Sequence, residues 1–196
     1  MKESEKLYDC KITLVGDSGV GKTSIIGRYV TGIFMQEISS TAGLNYSHKF
    51  YEKNGKKLLN LNLWDTAGQE KFRSLDISNK ESFENIKEIW YPDIEYYGEK
   101  IKILALVGNK KDKYEEEQIS EEEAKSYAEE INAKFFLVSA NTGEGIDNLF
   151  SSLADNFLDK EFKDKVDGSK LVRIDSIFLN KKDMKNGMSK SHNKCC

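Results

Sequence analysis

The sequence predicts an α/β domain built on a mostly parallel sheet. Short apolar runs of strand length alternate along the chain with segments of helical periodicity, which is typical of strands joined by crossover helices. A glycine-rich loop separates the first apolar run from the first helical segment. One pair of neighbouring strands is instead joined by a two-residue turn and is therefore expected to form a hairpin.

Length and composition narrow the class of protein. The chain has 196 residues, 38% of them hydrophobic, which is enough for one packed domain. Its formal net charge of −3 excludes a disordered acidic chain and gives no basic signature, so no nucleic-acid partner is expected. No apolar run approaches the roughly 18 residues of a membrane span, and the start, MKESEKLYD, is too polar for a signal peptide. Only three cysteines occur, which excludes a disulfide framework and favours a reducing, cytosolic compartment.

The first half of the chain predicts three strands and one helix. Residues 9–16 form an apolar run that ends in glycine, as expected of a buried strand. A helical pattern follows at 22–31, and strand-like segments follow at 44–53 and 57–64. Asn54–Gly55 between those segments predicts a tight hairpin, since both central residues of such a turn need positive φ.

The second half alternates helices with strands. We expect helices at 82–97, 120–131 and 146–161, and strands at 102–108 and 134–139. Ser120 followed by Glu123 predicts a capping box at the start of the second of these helices. Pro92, the only proline, is expected to kink the first.

Residues 16–23 read GDSGVGKT and match the phosphate-loop pattern G-x-x-x-x-G-K-[ST]. Gly19 and Gly21 allow successive backbone N–H groups to face one anion, and the following helix adds the positive end of its dipole. Lys22 can reach the β- and γ-phosphates, and the Thr23 hydroxyl can ligate Mg²⁺. A glycine-rich turn with a chance lysine is disfavoured by the strand before the loop and the helix after it. The expected nucleotide-binding residues here are Asp17, Ser18, Gly19, Val20, Gly21, Lys22, Thr23 and Ser24.

Asp65 closes an apolar strand in the text WDTAGQ. By itself, an aspartate after a strand is more often a helix or turn cap. Together with a phosphate loop, it is better interpreted as the carboxylate that holds magnesium, usually through a water.

The motifs together resemble the Ras-like small GTPases, and residues 9–75 look most like the Rab branch. GDSGVGKTS, WDTAGQEKFRSL, SFENIKEIW, VGNKKD and SAN occur in the family's order, over about residues 8–158. The resemblance implies a P-loop GTPase fold whose mostly parallel sheet has one antiparallel edge strand and is flanked by helices. It also implies a GDP/GTP switch in vesicle trafficking that binds GTP or GDP with Mg²⁺, hydrolyses GTP, and works on the cytoplasmic face of endomembranes with a cytosolic pool.

The same resemblance assigns roles to four loop residues. Thr41 is similar to the threonine that ligates Mg²⁺ and senses the γ-phosphate, and Gly68 to the glycine whose N–H contacts that phosphate. Gln69 is similar to the glutamine that orients the attacking water. Phe34 resembles the aromatic that packs on the guanine ring. Without the family, Thr41 would be an ordinary loop threonine and Phe34 a core residue.

The NKKD text at 109–112 matches the family's base-reading motif. One carboxylate, that of Asp112, can accept both the N1–H and the 2-amino hydrogens of guanine, and adenine offers no such donor pair. Ser139–Ala140 resemble the second base loop, but Asn141 stands where the family usually has lysine. The residues expected at the base are Asn109, Lys110, Asp112, Ser139, Ala140 and Asn141.

The chain is expected to divide into an extension at 1–7, a GTPase domain at 8–162 and a tail at 163–196. The tail lacks a sustained apolar period, is lysine-rich near its end, and finishes in Cys195–Cys196. Behind a Rab-like domain such a pair implies double prenylation, and two lipid chains anchor stably where one is marginal. Metal binding by the pair is the alternative, but no His or Cys cluster supports it.

A segment of roughly 15 residues, half a helix plus one strand of typical length, is missing relative to the resembled family. Leu75 runs directly into Asp76, where the family has the rest of a helix and a very apolar central strand. Two outcomes are expected. Either the strand at 102–108 moves over to pair with the first strand, or the chain does not fold stably.

Residues around 33–46 and 66–75 are expected to recruit effectors. Exchange factors, a GTPase-activating protein and prenylation or escort proteins are further partners implied by the family. The text at 42–46 departs from the family's I-G-x-D-F, so the effectors are not readable, and no arginine between Ile33 and Tyr46 supplies a finger in cis. The alternative function is a nucleotide-binding module or defective isoform without full cycling. A P-loop ATPase or nucleoside kinase is disfavoured by NKKD.

Overall fold

The computed structural model describes residues 7–14, 16–34, 45–65, 75–92 and 103–166. In these ranges the chain forms an α/β fold with six strands arranged as two three-stranded sheets, flanked by helices. Thr41, Gly68, Gln69 and the Cys195–Cys196 pair lie outside the described residues.

The first sheet carries the strand that leads into the phosphate loop. It consists of β1 (Tyr8–Thr13), β2 (Asn45–Lys53) and β3 (Lys56–Asp65) in the order β1-β3-β2. β1 runs parallel to β3, and β2 runs antiparallel to β3 at the edge of the sheet. The turn between β2 and β3 has φ of 54° at Asn54 and 73° at Gly55, which confirms the predicted hairpin.

The second sheet contains β4 (Leu75–Asp76), β5 (Ala105–Asn109) and β6 (Lys134–Leu137), all parallel and in that order. Its first strand has two residues, which pair with the last two residues of β5. The mostly parallel sheet and the antiparallel edge strand are therefore as predicted. The sheet is divided at the place where the family's central strand was expected to be missing.

The expectation that the 102–108 strand moves over to the first strand is wrong. Among the described residues β5 pairs with β4 and β6 and belongs to a different sheet from β1. Leu75 and Asp76 retain their parallel register with Gly108 and Asn109, and they therefore occupy the edge of β5 at its carboxyl end.

The helices predicted at 22–31 and 120–131 are confirmed to within a residue at each end, and the one predicted at 146–161 extends to Val166. The helix predicted at 82–97 begins two residues earlier, and its predicted end lies outside the described residues. The helices described are α1 (Lys22–Thr31), α2 (Lys80–Asn85), a π-helical stretch at Ile86–Trp90, a 3₁₀ helix at Lys111–Glu116, α3 (Glu121–Glu130) and α4 (Ile146–Val166). Ser120 accepts a hydrogen bond from the N–H of Glu123 at 3.1 Å, as the predicted cap requires. The kink predicted at Pro92 stays a prediction, because residues 93–102 lie outside the described ranges. Of the helices described, none has both the length and the apolar character to cross a bilayer.

Two hydrophobic clusters hold these elements together. The first combines β1, β3, α1 and α4, with the rings of Tyr29 and Phe150 stacked 3.9 Å apart. The second combines β4, β5, α2 and α3 around Phe83. Val107 packs against the first cluster and Leu106 lies within the second, so alternate side chains of β5 face opposite cores. A strand buried on both faces is typical of a parallel sheet covered by helices.

Phe150 provides a test of this packing. It has no exposed surface, and Phe150→Ala would leave a cavity between α1 and α4. We expect a loss of about 3–5 kcal/mol in the free energy of unfolding, measured by urea denaturation. Phe50, on the edge strand, is 38% exposed, and Phe50→Ala is the matched control with an expected loss under about 1 kcal/mol. Equal losses in the two variants would contradict the assigned core.

Candidate nucleotide-binding site

The loops that follow β1, β3, β5 and β6 converge at the carboxyl ends of these parallel strands. That edge is where open α/β sheets bind their ligands. The predicted phosphate loop, Asp65, the NKKD text and the Ser139 loop all follow these strand ends.

The phosphate loop has the backbone form that its glycines predict. Gly19 and Gly21 have φ of 80° and 98°, in the left-handed region that favours glycine. A Cβ at Gly21 would come within 2.3 Å of Nδ2 of Asn109, so a larger residue would also clash. Helix α1 starts at Lys22 without a side-chain cap, which leaves its first N–H groups facing the loop.

Lys22 lies across the phosphate loop. Its Nζ donates hydrogen bonds to the carbonyl of Gly16 at 2.6 Å and to that of Asp17 at 2.9 Å. The residue is only 5% exposed. Burial lowers the pKa of Lys22, while the carboxylates of Asp65 and Asp17 act in the opposite direction. The ammonium group is thus held inside the concave face of the loop, where an anion would reach it.

Thr23 and Asp65 meet next to Lys22. The Thr23 hydroxyl donates to Oδ2 of Asp65 at 2.7 Å, and Asp65 is 4% exposed at the end of β3. Because this buried carboxylate bonds to Thr23 in the first turn of α1, it lies where the predicted magnesium-holding role would require it.

The pair fits a magnesium ion. Hydroxyl and carboxylate oxygens are hard ligands, and Mg²⁺ in phosphate sites takes few protein ligands and fills its shell with water and phosphate oxygens. Within the described ranges, no cluster of three or more His, Cys, Asp or Glu side chains suited to a metal occurs.

Asn109 joins the phosphate loop to the base loops. Its Nδ2 donates to the carbonyl of Val20 at 2.8 Å, and its Oδ1 accepts from the N–H of Ala140 at 3.1 Å. The side chain is 2% exposed. Both ends of the amide are therefore bonded to the protein, and the side chain holds the two loops together. The predicted role of Asn109 at the base stays a prediction.

The side chains of Lys110 and Asp112, just after β5, bond to different parts of the protein. Lys110 has a left-handed backbone, with φ of 67°, and its ammonium group forms an ion pair with Asp76 of β4. Asp112 accepts hydrogen bonds from the hydroxyl of Ser139 and from Nδ2 of Asn141, the latter at 3.0 Å. Partial burial alone would raise the pKa of Asp112, but these two bonds outweigh it and hold that pKa below its usual value. The carboxylate is therefore ionised near neutral pH, the state in which it can accept two donors.

Phe34 and the remaining predicted site residues differ in how far they are buried. Phe34 is half-buried against the first hydrophobic cluster. Val20 is buried, Ser18 is exposed, and Ser24 is half-buried in the first turn of α1. The predicted role of Phe34 at the base stays a prediction.

The sequence did not predict the polar contacts that two residues, Arg28 and Asn85, make at the site. Arg28 donates from Nε to the carbonyl of Ala140 at 2.8 Å and from its terminal nitrogens to the carbonyls of Gly32 and Asn141. Asn85 of α2 donates to Oδ2 of Asp17 at 2.8 Å. The only local signal for Arg28 is a basic residue in the last turn of a helix, which predicts interaction with that helix's own carbonyls and not with a loop more than a hundred residues away.

A glycine-rich loop between β1 and α1, an adjacent hydroxyl–carboxylate pair and an aspartate beyond β5 are together typical of P-loop proteins of the α/β class. Two family models match the chain: "Roc, domain of DAPkinase" (Ras of Complex) over residues 11–112, and the Ras family over residues 75–159.

Comparison with curated relatives identifies the branch of the Ras-related proteins to which the chain is most similar. The chain is 37% identical over 160 residues to the mouse Ras-related protein Rab-26, covering 74% of this chain and 61% of that protein. It is 35% identical over 181 residues to Rab-1 of Theileria parva, with 85% and 79% covered. It is 33% identical over 168 residues to the GTP-binding protein ypt2 of Schizosaccharomyces pombe, with 77% and 83% covered. The chain belongs to the Rab family of Ras-related small GTPases.

The comparison with Rab-26 also bears on the missing segment. The match extends over 160 residues, whereas 74% of this 196-residue chain is about 145 residues. The relative therefore contributes about 15 residues that have no counterpart here. This agrees in size with the segment expected to be absent after Leu75, the residue at which the Ras-family match begins.

Proposed function

We propose that this protein is a GDP/GTP switch of intracellular vesicle trafficking that binds guanine nucleotide with Mg²⁺ and hydrolyses GTP. The observation that carries the proposal is the single assembly formed by Lys22, the Thr23–Asp65 pair and, through Asn109, the loop of Asp112. Membership of the Rab family and the GTP binding named for ypt2 support the same function.

Different residues of the chain bind the phosphates, the magnesium ion and the base. The N–H groups at the start of α1 and the Lys22 ammonium bind the phosphates and neutralise their charge. Thr23 and Asp65 would hold Mg²⁺, with Thr41 as a further ligand implied by the family. Held by these residues, such an ion would neutralise negative charge on the phosphates. Asp112 selects guanine by accepting two parallel N–H donors.

Hydrolysis depends on residues outside the described ranges. We propose that Gln69 orients the attacking water and that the N–H of Gly68 contacts the γ-phosphate. With no arginine between Ile33 and Tyr46, turnover is slow alone, and an activating protein that supplies an arginine accelerates it by about 10³–10⁵-fold. Effectors bind around residues 33–46 and 66–75 when GTP is present, and an exchange factor resets the cycle.

Membrane attachment is assigned to the tail at 163–196. Prenyl groups on Cys195 and Cys196 would anchor the domain at 8–162 to the cytoplasmic face of endomembranes, and an escort protein would maintain the cytosolic pool. Lysines of the tail add attraction to anionic lipid.

The second candidate is a nucleotide-binding module that does not complete the cycle. The two-residue β4 and the divided sheet favour it, because the strand that would support the centre of the site is short while the binding loops keep their contacts. Binding without hydrolysis, with or without an activating protein, distinguishes this candidate from the switch.

Base selection by Asp112 is tested by Asp112→Asn. The amide offers one acceptor and one donor, which suits the N1–H and 2-oxo groups of xanthine and leaves the 2-amino group of guanine opposed by a donor. We expect GDP affinity to fall on the order of 10²-fold, and affinity for xanthosine diphosphate to rise, in calorimetric titrations. Asp159→Asn, on the exposed side of α4, is the control. Unchanged GDP affinity in Asp112→Asn would overturn this base assignment.

The catalytic assignment is tested by Gln69→Leu. Leucine is similar in size but cannot hydrogen-bond a water, so single-turnover GTP hydrolysis is expected to slow about 10- to 100-fold while nucleotide affinity persists. Gln118→Leu serves as the control, since Gln118 is exposed and its side chain accepts a hydrogen bond from the N–H of Lys80 at the start of α2, away from the nucleotide loops. The assignment of Gln69 is wrong if both variants hydrolyse GTP at the native rate.

A further inference from the structure

Both oxygens of the Asp112 carboxylate are occupied by side chains of the loop after β6. Oδ1 accepts a hydrogen bond from the hydroxyl of Ser139, and Oδ2 accepts one from Nδ2 of Asn141 at 3.0 Å. Ser139 is almost fully buried, whereas Asn141 is exposed. The two donors therefore differ in kind: one belongs to the packed interior, and the other lies on the side open to a ligand.

The Asn141 amide has the donor chemistry of the guanine base itself. A primary amide presents an NH₂ group on a planar sp² centre, as does the 2-amino group of guanine. A base that places N1–H and 2-NH₂ in parallel needs an acceptor site on each carboxylate oxygen. The Asn141 amide already donates to Oδ2, so it competes with the 2-amino group for that oxygen.

The backbone of this loop is fixed, so only a side chain has to move. Arg28 binds the carbonyls of Ala140 and Asn141, and the N–H of Ala140 bonds to Asn109. The loop closes on itself through the N–H of Gly143, which donates to the carbonyl of Ser139 at 2.8 Å. Rotation of the exposed Asn141 side chain into water vacates Oδ2 without disturbing these bonds.

We propose that the Asn141 side chain competes with guanine for the Asp112 carboxylate. By bonding to Asp112 when no base is bound, Asn141 weakens the affinity of the protein for nucleotide. The proposal rests on the proposed function, and it concerns regulation of that same site. The apparent dissociation constant equals the intrinsic constant divided by the fraction of protein in which Asp112 is accessible. Each departure of the base is matched by return of the amide, so release is favoured.

The competitor discriminates between ligands. It acts most strongly on a purine that uses both oxygens, as guanine does, and less on hypoxanthine, which lacks the 2-amino group and can bind through N1–H while Asn141 stays on Oδ2. The hydrogen bonds that lower the pKa of Asp112 fit this view, because they stabilise the ionised carboxylate before any base arrives.

The test compares the full chain with Asn141→Ala and with the control Asn148→Ala, an exposed position on α4. GDP and inosine diphosphate are titrated calorimetrically at constant Mg²⁺. We expect Asn141→Ala to bind GDP about three- to tenfold more tightly than the native chain, with a smaller gain for inosine diphosphate. Asn148→Ala leaves both affinities unchanged. Asn141→Ser, whose short side chain does not reach Asp112, behaves like the alanine variant.

The possible outcomes distinguish failure of the Asn141 proposal from failure of the proposed GDP/GTP-switch function. If the native chain binds GDP and Asn141→Ala binds it equally or less tightly, the competitor is overturned and the proposed function stands. Equal gains for GDP and inosine diphosphate also overturn it, since a general change in loop stability would act on both. If neither the native chain nor the variants bind GDP, the proposed function fails and this inference fails with it.

Discussion

The two hydrogen bonds of the buried Asn109 side chain determine the geometry of the whole site. A primary amide has a donor at one end and an acceptor at the other, so Asn109 can bind the Val20 carbonyl and the Ala140 N–H at once. Aspartate has no donor for the first contact, and leucine has neither group. Gly21 must lack a Cβ for the amide to reach its position. Asn109 thereby fixes the distance between the phosphate loop and the loops expected to bind the base.

This connection matters because the sheet beneath the site is divided. β1 and β5 belong to separate three-stranded sheets among the described residues, so no continuous ladder links the strand before the phosphate loop to the strand before NKKD. Besides the Asn109 bond, three further kinds of contact cross the division. The first cluster includes side chains of β1, α1 and α4 with Val107 and Phe136 packed against them, Arg28 binds the Ser139 loop, and Asn85 binds Asp17. Apolar packing and these side-chain hydrogen bonds therefore join the two sheets where backbone pairing is absent among the described residues.

Local sequence signals predicted most of the helices and strands that the structure describes, together with several local backbone features. The hairpin at Asn54–Gly55, the cap at Ser120 and the glycines of the phosphate loop follow from backbone requirements of a few adjacent residues, and the structure has them. Of the two outcomes expected after the missing segment, the pairing of β5 with β1 is wrong. β5 pairs with the two residues of β4 and with β6, and no local sequence pattern encodes such a choice between strand partners. Arg28 with Ala140 and Asn141 with Asp112 were missed for the same reason, since polar contacts between distant loops depend on the assembled fold.

The central claim is that Asn109 couples the two halves of the site, and Asn109→Ala tests it most directly. The variant leaves the Val20 carbonyl and the Ala140 N–H without their partner in the interior, at a cost of about 1–3 kcal/mol for each. Urea unfolding and GDP titration of this variant and of Asn148→Ala give the measurement. We predict that Asn109→Ala loses both stability and at least about tenfold in GDP affinity, while Asn148→Ala loses neither. Native GDP affinity in a folded Asn109→Ala protein would contradict the account.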